Sequence, residues 1–234
     1  MEVLPILFFV VIGILVIAGI WYGVQRGKKR RQALGVLAGK LGMSFDPEKR
    51  RGLAEELGSR FATLTQGSNR YAYNILAGRR DGRAATLFDF HHETYSTDSK
   101  GNRQTHHHHR SFVIIEHDVN LGALEARPEH FFDKLKGFFG FDDINFESAE
   151  FSKAYYVKAK DRKLAYDLFH PRMIEFMLAH KGLKVTTWVD HALFRYGSGR
   201  MTPLVFEGTL RDGFAFLEQI PRYMRKDRAI GGTP

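Results

Sequence analysis

The sequence predicts an α+β protein: an N-terminal transmembrane helix, then a cytoplasmic domain of antiparallel hairpins or a meander with several helices. Three observations carry this. An apolar run from Val3 to Val24 holds no charged residue and is followed at once by Arg26-Gly27-Lys28-Lys29-Arg30-Arg31. From Thr63 to Val119 apolar and polar residues alternate with period two around an Asp81-Gly82 turn. Helical spacing brackets that region, so strands and helices come in blocks and not in strict βαβ alternation, which favours antiparallel sheet.

As a helix the first run is about 33 Å long at about 1.5 Å per residue, enough to cross a hydrocarbon core of about 30 Å. A cleavable signal peptide needs a positive start, a shorter apolar stretch and small residues at the cut. Here Glu2 is the only charge before the run, and Ile20, Trp21 and Tyr22 follow Gly19. Retention as an anchor is therefore expected. Trp21 and Tyr22 suit the headgroup level, and Arg26, Lys28, Lys29, Arg30 and Arg31 form a basic stop that places the N terminus outside and the C-terminal domain in the cytoplasm of a single-pass cell-membrane protein. The expected divisions are an anchor (1–25), a basic juxtamembrane segment with a short helix (26–44), the α+β domain (45–228, with a sub-boundary near 120–128) and a flexible tail (229–234).

Within the juxtamembrane segment Leu34, Leu37, Ala38 and Leu41 recur at helical spacing up to Gly42, a short amphipathic stalk whose stripe packs on the domain. Asp46-Pro47-Glu48 reads as a helix start and Gly58 as its end. Tyr71, Tyr73, Ile75 and Ala77 form one face of a strand, the Asp81-Gly82 turn returns it through Ala84 to Phe90, and a polar loop leads to a third strand ending in Phe112-Val113-Ile114-Ile115. Pro128-Glu129 opens a helix that closes near Gly140. Strands are expected at Ile144–Glu147 and Ala154–Ala159, then a helical stretch from Asp161 to His180 that Pro171 kinks or splits. Further strands lie in Lys184–Asp190, Ala192–Gly197 and Leu204–Glu207, and a last helix starts at Thr209 in a capping-box-like Thr-Leu-Arg-Asp and bends or ends at Pro221.

The net charge of +9 is unevenly placed: residues 26–83 carry a net +9 and residues 84–234 only +1. Cations beside an anionic leaflet are each favoured by about 1 kcal/mol, so the natural partners of this charge are the lipid bilayer and its anionic headgroups, and nucleic acid is not expected. The absence of cysteine excludes disulfides and thiolate chemistry. No phosphate loop, G-x-S-x-G elbow or H-E-x-x-H helix occurs, and Gly197-Ser198-Gly199-Arg200 sits between strands.

The anomaly is the tract His106-His107-His108-His109, with His91, His92 and His117 nearby. If the second and third strands pair, His91 or His92 faces His107 or His109 across the ladder. Alternate residues share a face, so His91, His92, His107 and His109, with Glu93 or Asp89, form the candidate metal set for zinc, nickel or copper. A run of histidines in a polar hairpin also reads as a solvated strand, and no other cofactor is expected. Asp142, Asp143, Glu147 and Glu150 are a weaker carboxylate set, flanking core aromatics. His170, His180 and Asp190-His191 sit at helix ends or loops.

Four stretches, L-G-M-S-F-D-P-E, G-S-N-R-Y-A-Y-N-I-L-A-G, G-F-D-D-I-N-F-E-S-A-E-F and L-A-Y-D-L-F-H-P-R-M-I-E-F, spread over about residues 40–180, resemble uncharacterised bacterial proteins with one N-terminal membrane helix and a cytoplasmic domain of unknown function. The resemblance implies architecture and no activity. The leading expectation is a binding or scaffolding module with an unidentified protein partner at the cytoplasmic membrane face, and not an enzyme. The alternatives are a membrane-tethered metal-dependent enzyme using the histidine hairpin and an anionic-lipid surface sensor.

Overall fold

A computed structural model describes residues 3–129 and 144–230. The expected helix at 130–140, together with Phe141, Asp142 and Asp143, lies outside the described residues. The apolar run does not stop at the basic cluster: α1 (Val3–Leu41) is one helix of 39 residues in which anchor, cations and amphipathic stretch are continuous. The expected short stalk is therefore the end of the anchor helix; no proline stands between Arg26 and Leu41, and Gly27, Gly35 and Gly39 do not break the helix, which propagates to Gly42 and closes there at φ 66°. Among the described residues it alone is long and apolar enough to cross a membrane.

Among the described residues eight strands form one antiparallel sheet: β1 (Ser44–Asp46), β2 (Ser68–Arg80), β3 (Arg83–Thr97), β4 (Arg103–Glu116), β5 (Leu124–Pro128), β6 (Tyr155–Ala159), β7 (Leu183–Thr187) and β8 (His191–Tyr196), in the order β1-β2-β3-β4-β8-β7-β5-β6. The α+β class and the β2–β3–β4 meander are as the sequence predicts. Asp81 (φ 50°) and Gly82 (φ 77°) make the two-residue turn between β2 and β3. β5, between β7 and β6, falls in the region of the expected sub-boundary, and Ala229, in the expected tail, bridges Val119.

The remaining helices are α2 (Arg51–Arg60), α3 (Ala149–Ala154), α4 (Arg162–Leu168), α5 (Pro171–Ala179), α6 (Pro203–Glu218) and α7 (Arg222–Asp227). Pro171 splits the predicted long helix into α4 and α5. One face of the sheet carries the larger core, where Leu87, Val113 and Phe194 meet Leu34 and Leu37 of α1 and Phe206, Leu210 and Phe216 of α6. The other face carries a smaller one, with Phe88, Phe90 and Phe112 against Leu57, Phe61 and Leu64. Gly213 lets α6 approach closely: a Cβ there would lie 2.8 Å from Ile115 and 2.9 Å from Phe194.

Several local expectations give way to tertiary context. Asp46 belongs to β1, opposite Ile75, and its carboxylate accepts hydrogen bonds from the Glu48 amide (2.9 Å) and Arg50 (2.7 Å). The helix therefore starts at Arg51 and runs past Gly58 to Arg60. Asn74 (φ 51°) sits in a bulge of β2, so parity slips and Ile75 joins the smaller core while Leu76 faces the larger. Residues 144–147 are not a strand; Phe146 packs edge-on to Phe151 and Phe169 instead. Leu204–Glu207 is the first turn of α6, because Thr202 caps the Val205 amide and Pro203 takes the first helical position, leaving Thr209 buried mid-helix with its hydroxyl donating to the Val205 carbonyl (2.7 Å).

Candidate functional site

Two features stand out: the junction of anchor and domain, and the histidine arm beside it. At the junction Arg30, Leu34, Leu37 and Ala38 project from the same side of α1. The three apolar residues enter the larger core. Arg30 grips Asp89 of β3 with both ends of its guanidinium, Nε donating to Oδ2 (2.8 Å) and Nη2 to Oδ1 (2.7 Å), and Nη2 also donates to the Met201 carbonyl (2.9 Å). Asp89 is fully buried and accepts further bonds from Ser111 Oγ (2.6 Å) and Asn74 Nδ2 (2.9 Å). Arg30 is thus committed to the domain, while Trp21 and Tyr22 stand exposed on the apolar half and Arg26 lies over the Tyr22 ring at 4.6 Å. Lys28, Lys29 and Arg31 follow them on α1. In the sequence Arg30 reads as one cation of five; its spacing of four residues from Leu34, on the buried stripe, is the signal that singles it out.

From its C-terminal end toward Arg30, α1 passes from the Gly78–Ala85 pair, where Met43 packs on Gly78, to Asp89. The apolar half of the helix and the free end of the β3–β4 ladder therefore project from the same side of the domain. Beyond Asp89 that ladder continues as an arm from the Phe90–Arg110 pair to the Thr97–Arg103 pair, matching His91 with His109, His92 with His108 and Glu93 with His107.

Strand alternation sorts the predicted metal set. His91, His107 and His109 share one face with Glu93; His92 lies on the other, buried and stacked on His108 at 4.7 Å. His91 stacks on Tyr71 (4.5 Å), directs Nδ1 to the Asn69 carbonyl (3.1 Å) and brings Nε2 within 3.2 Å of His107 Nδ1, which is 3.4 Å from Glu93 Oε1. Asn69 Nδ2 donates to Glu93 Oε1 (2.6 Å) and Tyr95 to Oε2 (3.2 Å). The Asn69 bond, with Tyr95 and the His107 and His91 imidazoles, holds the Glu93 carboxyl below the usual carboxylate range. His109 bonds Tyr73 Oη through Nδ1 (2.9 Å); desolvation, with His91 and Arg200 nearby, lowers its pKa, and burial beside Asp89 pushes Tyr73 up to about 12.

A second group escapes sequence reasoning because its members are far apart in the chain. Glu56, Arg60, Glu116, His117, Asp190 and His191 line a cleft of about 480 Å³ at the β4–β8 ends. His191 Nδ1 is 2.6 Å from Asp190 and its Nε2 is 3.4 Å from Arg60. His117 is buried, and that burial, only partly offset by the backbone of His191 and Val119, drives its pKa down to about 4. Of the other sequence candidates, Glu147 and Glu150 are exposed, His170 meets the Gln219 carbonyl (3.0 Å), and His180 meets the Phe176 carbonyl at the end of α5 (2.8 Å).

No family model matches the chain, and no curated protein matches it. Among solved structures it is similar to the mycobacterial trehalose monomycolate transport factor A, TtfA, with a TM-score of 0.60 and 13% identity over 82% of this chain and 96% of that one. At that identity the likeness is one of fold.

Proposed function

We propose that the protein is a membrane-tethered binding module that presents its α+β domain in a set orientation to a protein partner at the cytoplasmic face of the cell membrane. The observation that carries this reading is the unbroken α1, apolar at one end and clamped through Arg30 and Asp89 into the core at the other. A tether that only raised local concentration would work with a flexible linker; a stiff helix sealed to the sheet fixes which face meets the membrane plane. The fold is similar to that of a transport factor, and by that analogy the partner would act in a transport process.

The docking strip favoured here runs along α1 and α6. The Arg30–Met201 and Lys40–Glu207 bonds set the two segments side by side in the same direction. Val36 and Leu204, 75 % and 78 % exposed, lie on the stretch between those bonds, next to the anchor. The missing cysteine makes the test clean. With Glu2→Cys and Ser99→Cys in whole cells, an impermeant maleimide should reach the first and spare the second until the membrane is opened; labelling of position 99 in intact cells overturns the orientation. Photocrosslinkers at Val36 and Leu204 should give one discrete adduct, shared by both positions and lost when a flexible Gly-Ser insertion separates Val24 from Arg26. An adduct indifferent to that insertion, or none, overturns the fixed-presentation reading.

A further inference from the structure

The arm holds a small polar constellation that a scaffold does not need. His91, Glu93 and His107 each offer one ligand atom, all within 4.8 Å of one another. The two measured edges are 3.2 Å, from His91 Nε2 to His107 Nδ1, and 3.4 Å, from His107 Nδ1 to Glu93 Oε1. Tetrahedral zinc with ligand bonds of about 2.0–2.1 Å keeps its ligand atoms about 3.3–3.4 Å apart. Those two edges match a coordination shell.

The surroundings fix the ligands as metal sites require. The carbonyl of Asn69 accepts from His91 Nδ1, so the proton sits there and the lone pair of Nε2 points at His107. The side chain of the same Asn69 donates to Glu93 Oε1. One residue therefore orients two ligands, and it does so from a left-handed backbone (φ 48°) at a register slip between Ser68 and Tyr71 of β2. Backbone strain of this kind persists where surrounding structure imposes it, and it clusters at functional sites. Gly67 completes the approach: with φ 66°, any Cβ there would lie 2.1 Å from the Glu93 carbonyl oxygen.

We propose that His91, Glu93 and His107 bind a zinc-class divalent ion, with water as the fourth ligand and Asn69 as the residue that positions the set. Two imidazoles and one carboxylate with an open position suit zinc over the hard, oxygen-seeking cations. His92, on the other face, is outside the set, and His109 stands beside it, its ring 4.9 Å from that of His91 and its Nδ1 on Tyr73.

The test exploits the two faces of the tract. Full-length protein, purified in detergent without a polyhistidine tag and stripped of metal, is titrated with Zn²⁺ against a chelating competitor, and bound metal is counted by mass spectrometry. One zinc per chain is expected. His107→Ala, an exposed side chain away from the core, and Glu93→Gln should each weaken binding by tenfold or more; Asn69→Ala should weaken it about 10- to 100-fold. His106→Ala and His108→Ala, on the opposite face, should leave it within twofold. Cobalt in place of zinc should give the intense visible absorption of a four-coordinate ion, lost in His107→Ala. Failure to bind one zinc per chain overturns the proposal, and so does equal loss from every tract histidine, the behaviour of a plain imidazole ribbon.

Discussion

The β3–β4 ladder is continuous through its thirteen pairs, yet its two ends have opposite chemistry. Before Asp89 the face toward α1 is Leu87 and Val113, sealed under the helix; after it the same face is His91, Glu93, His107 and His109. Helix α1 changes at the same level: Leu34, Leu37 and Ala38 are buried on one side of Arg30, and the residues from Leu7 to Val24 are exposed on the other. The Arg30–Asp89 pair stands at both transitions. It teaches that where α1 stops covering the ladder, the face it covered changes from apolar side chains to histidines and a carboxylate, even though Phe90 and Tyr71 remain buried beside them.

The largest effect should come from breaking that boundary. Arg30→Ala leaves the Asp89 carboxylate buried without its cation and should cost about 3–5 kcal/mol, read as a fall in the denaturant midpoint of the full-length protein in detergent; an unchanged midpoint would mean the pair is ornamental. Leu34→Ala should cost about 2–5 kcal/mol, because the side chain is fully buried, while Leu15→Ala, on the apolar half, should leave domain stability unchanged. Equal costs would erase the distinction between the halves of α1.

On the sheet, His117 gives a pH signature. Its pKa falls from 6.5 to about 4 on burial, so the unfolded chain binds more protons between those values. Stability is then present in full above about pH 6.5 and is lost as pH falls toward 4, on the order of 2–3 kcal/mol. His117→Gln should flatten a plot of melting temperature against pH over that window. Gly213→Ala should cost about 1–3 kcal/mol through overpacking against Ile115 and Phe194. His106→Ala, on the exposed arm, should shift stability by less than about 0.5 kcal/mol, and a larger loss would show that the arm is part of the cooperative fold.

Local chemistry made much of this architecture legible. Asp81-Gly82 can adopt the backbone its turn demands, Pro171 cannot continue a helix, and Gly42 can end one, so those features are written in single residues. What sequence reading missed is set by partners distant in the chain. The helix start at Asp46 is overridden by pairing with Ile75, and the Asn74 bulge reverses the faces of half a strand. Leu204–Glu207 has strand-like residues, but Thr202 and Pro203 launch a helix beneath them. At the candidate sites alternation across the hairpin was readable, and left His91 or His92 facing His107 or His109. That Glu93 and not Asp89 stands with His91 and His107, that Asn69 contacts both His91 and Glu93 and that Arg30 leaves the cationic cluster for Asp89 all depend on registers and contacts that composition does not encode.

The unbroken helix also makes the anchor a lever. An apolar segment longer than the local bilayer accommodates by tilting. Because α1 continues without a hinge from Leu7 to Leu41 and is pinned to the sheet at Arg30, any such tilt turns the whole domain through the same angle and carries the tip of the histidine arm toward or away from the headgroups. In a bilayer spanned by α1, membrane thickness would thereby set how far the histidine arm stands from the headgroups.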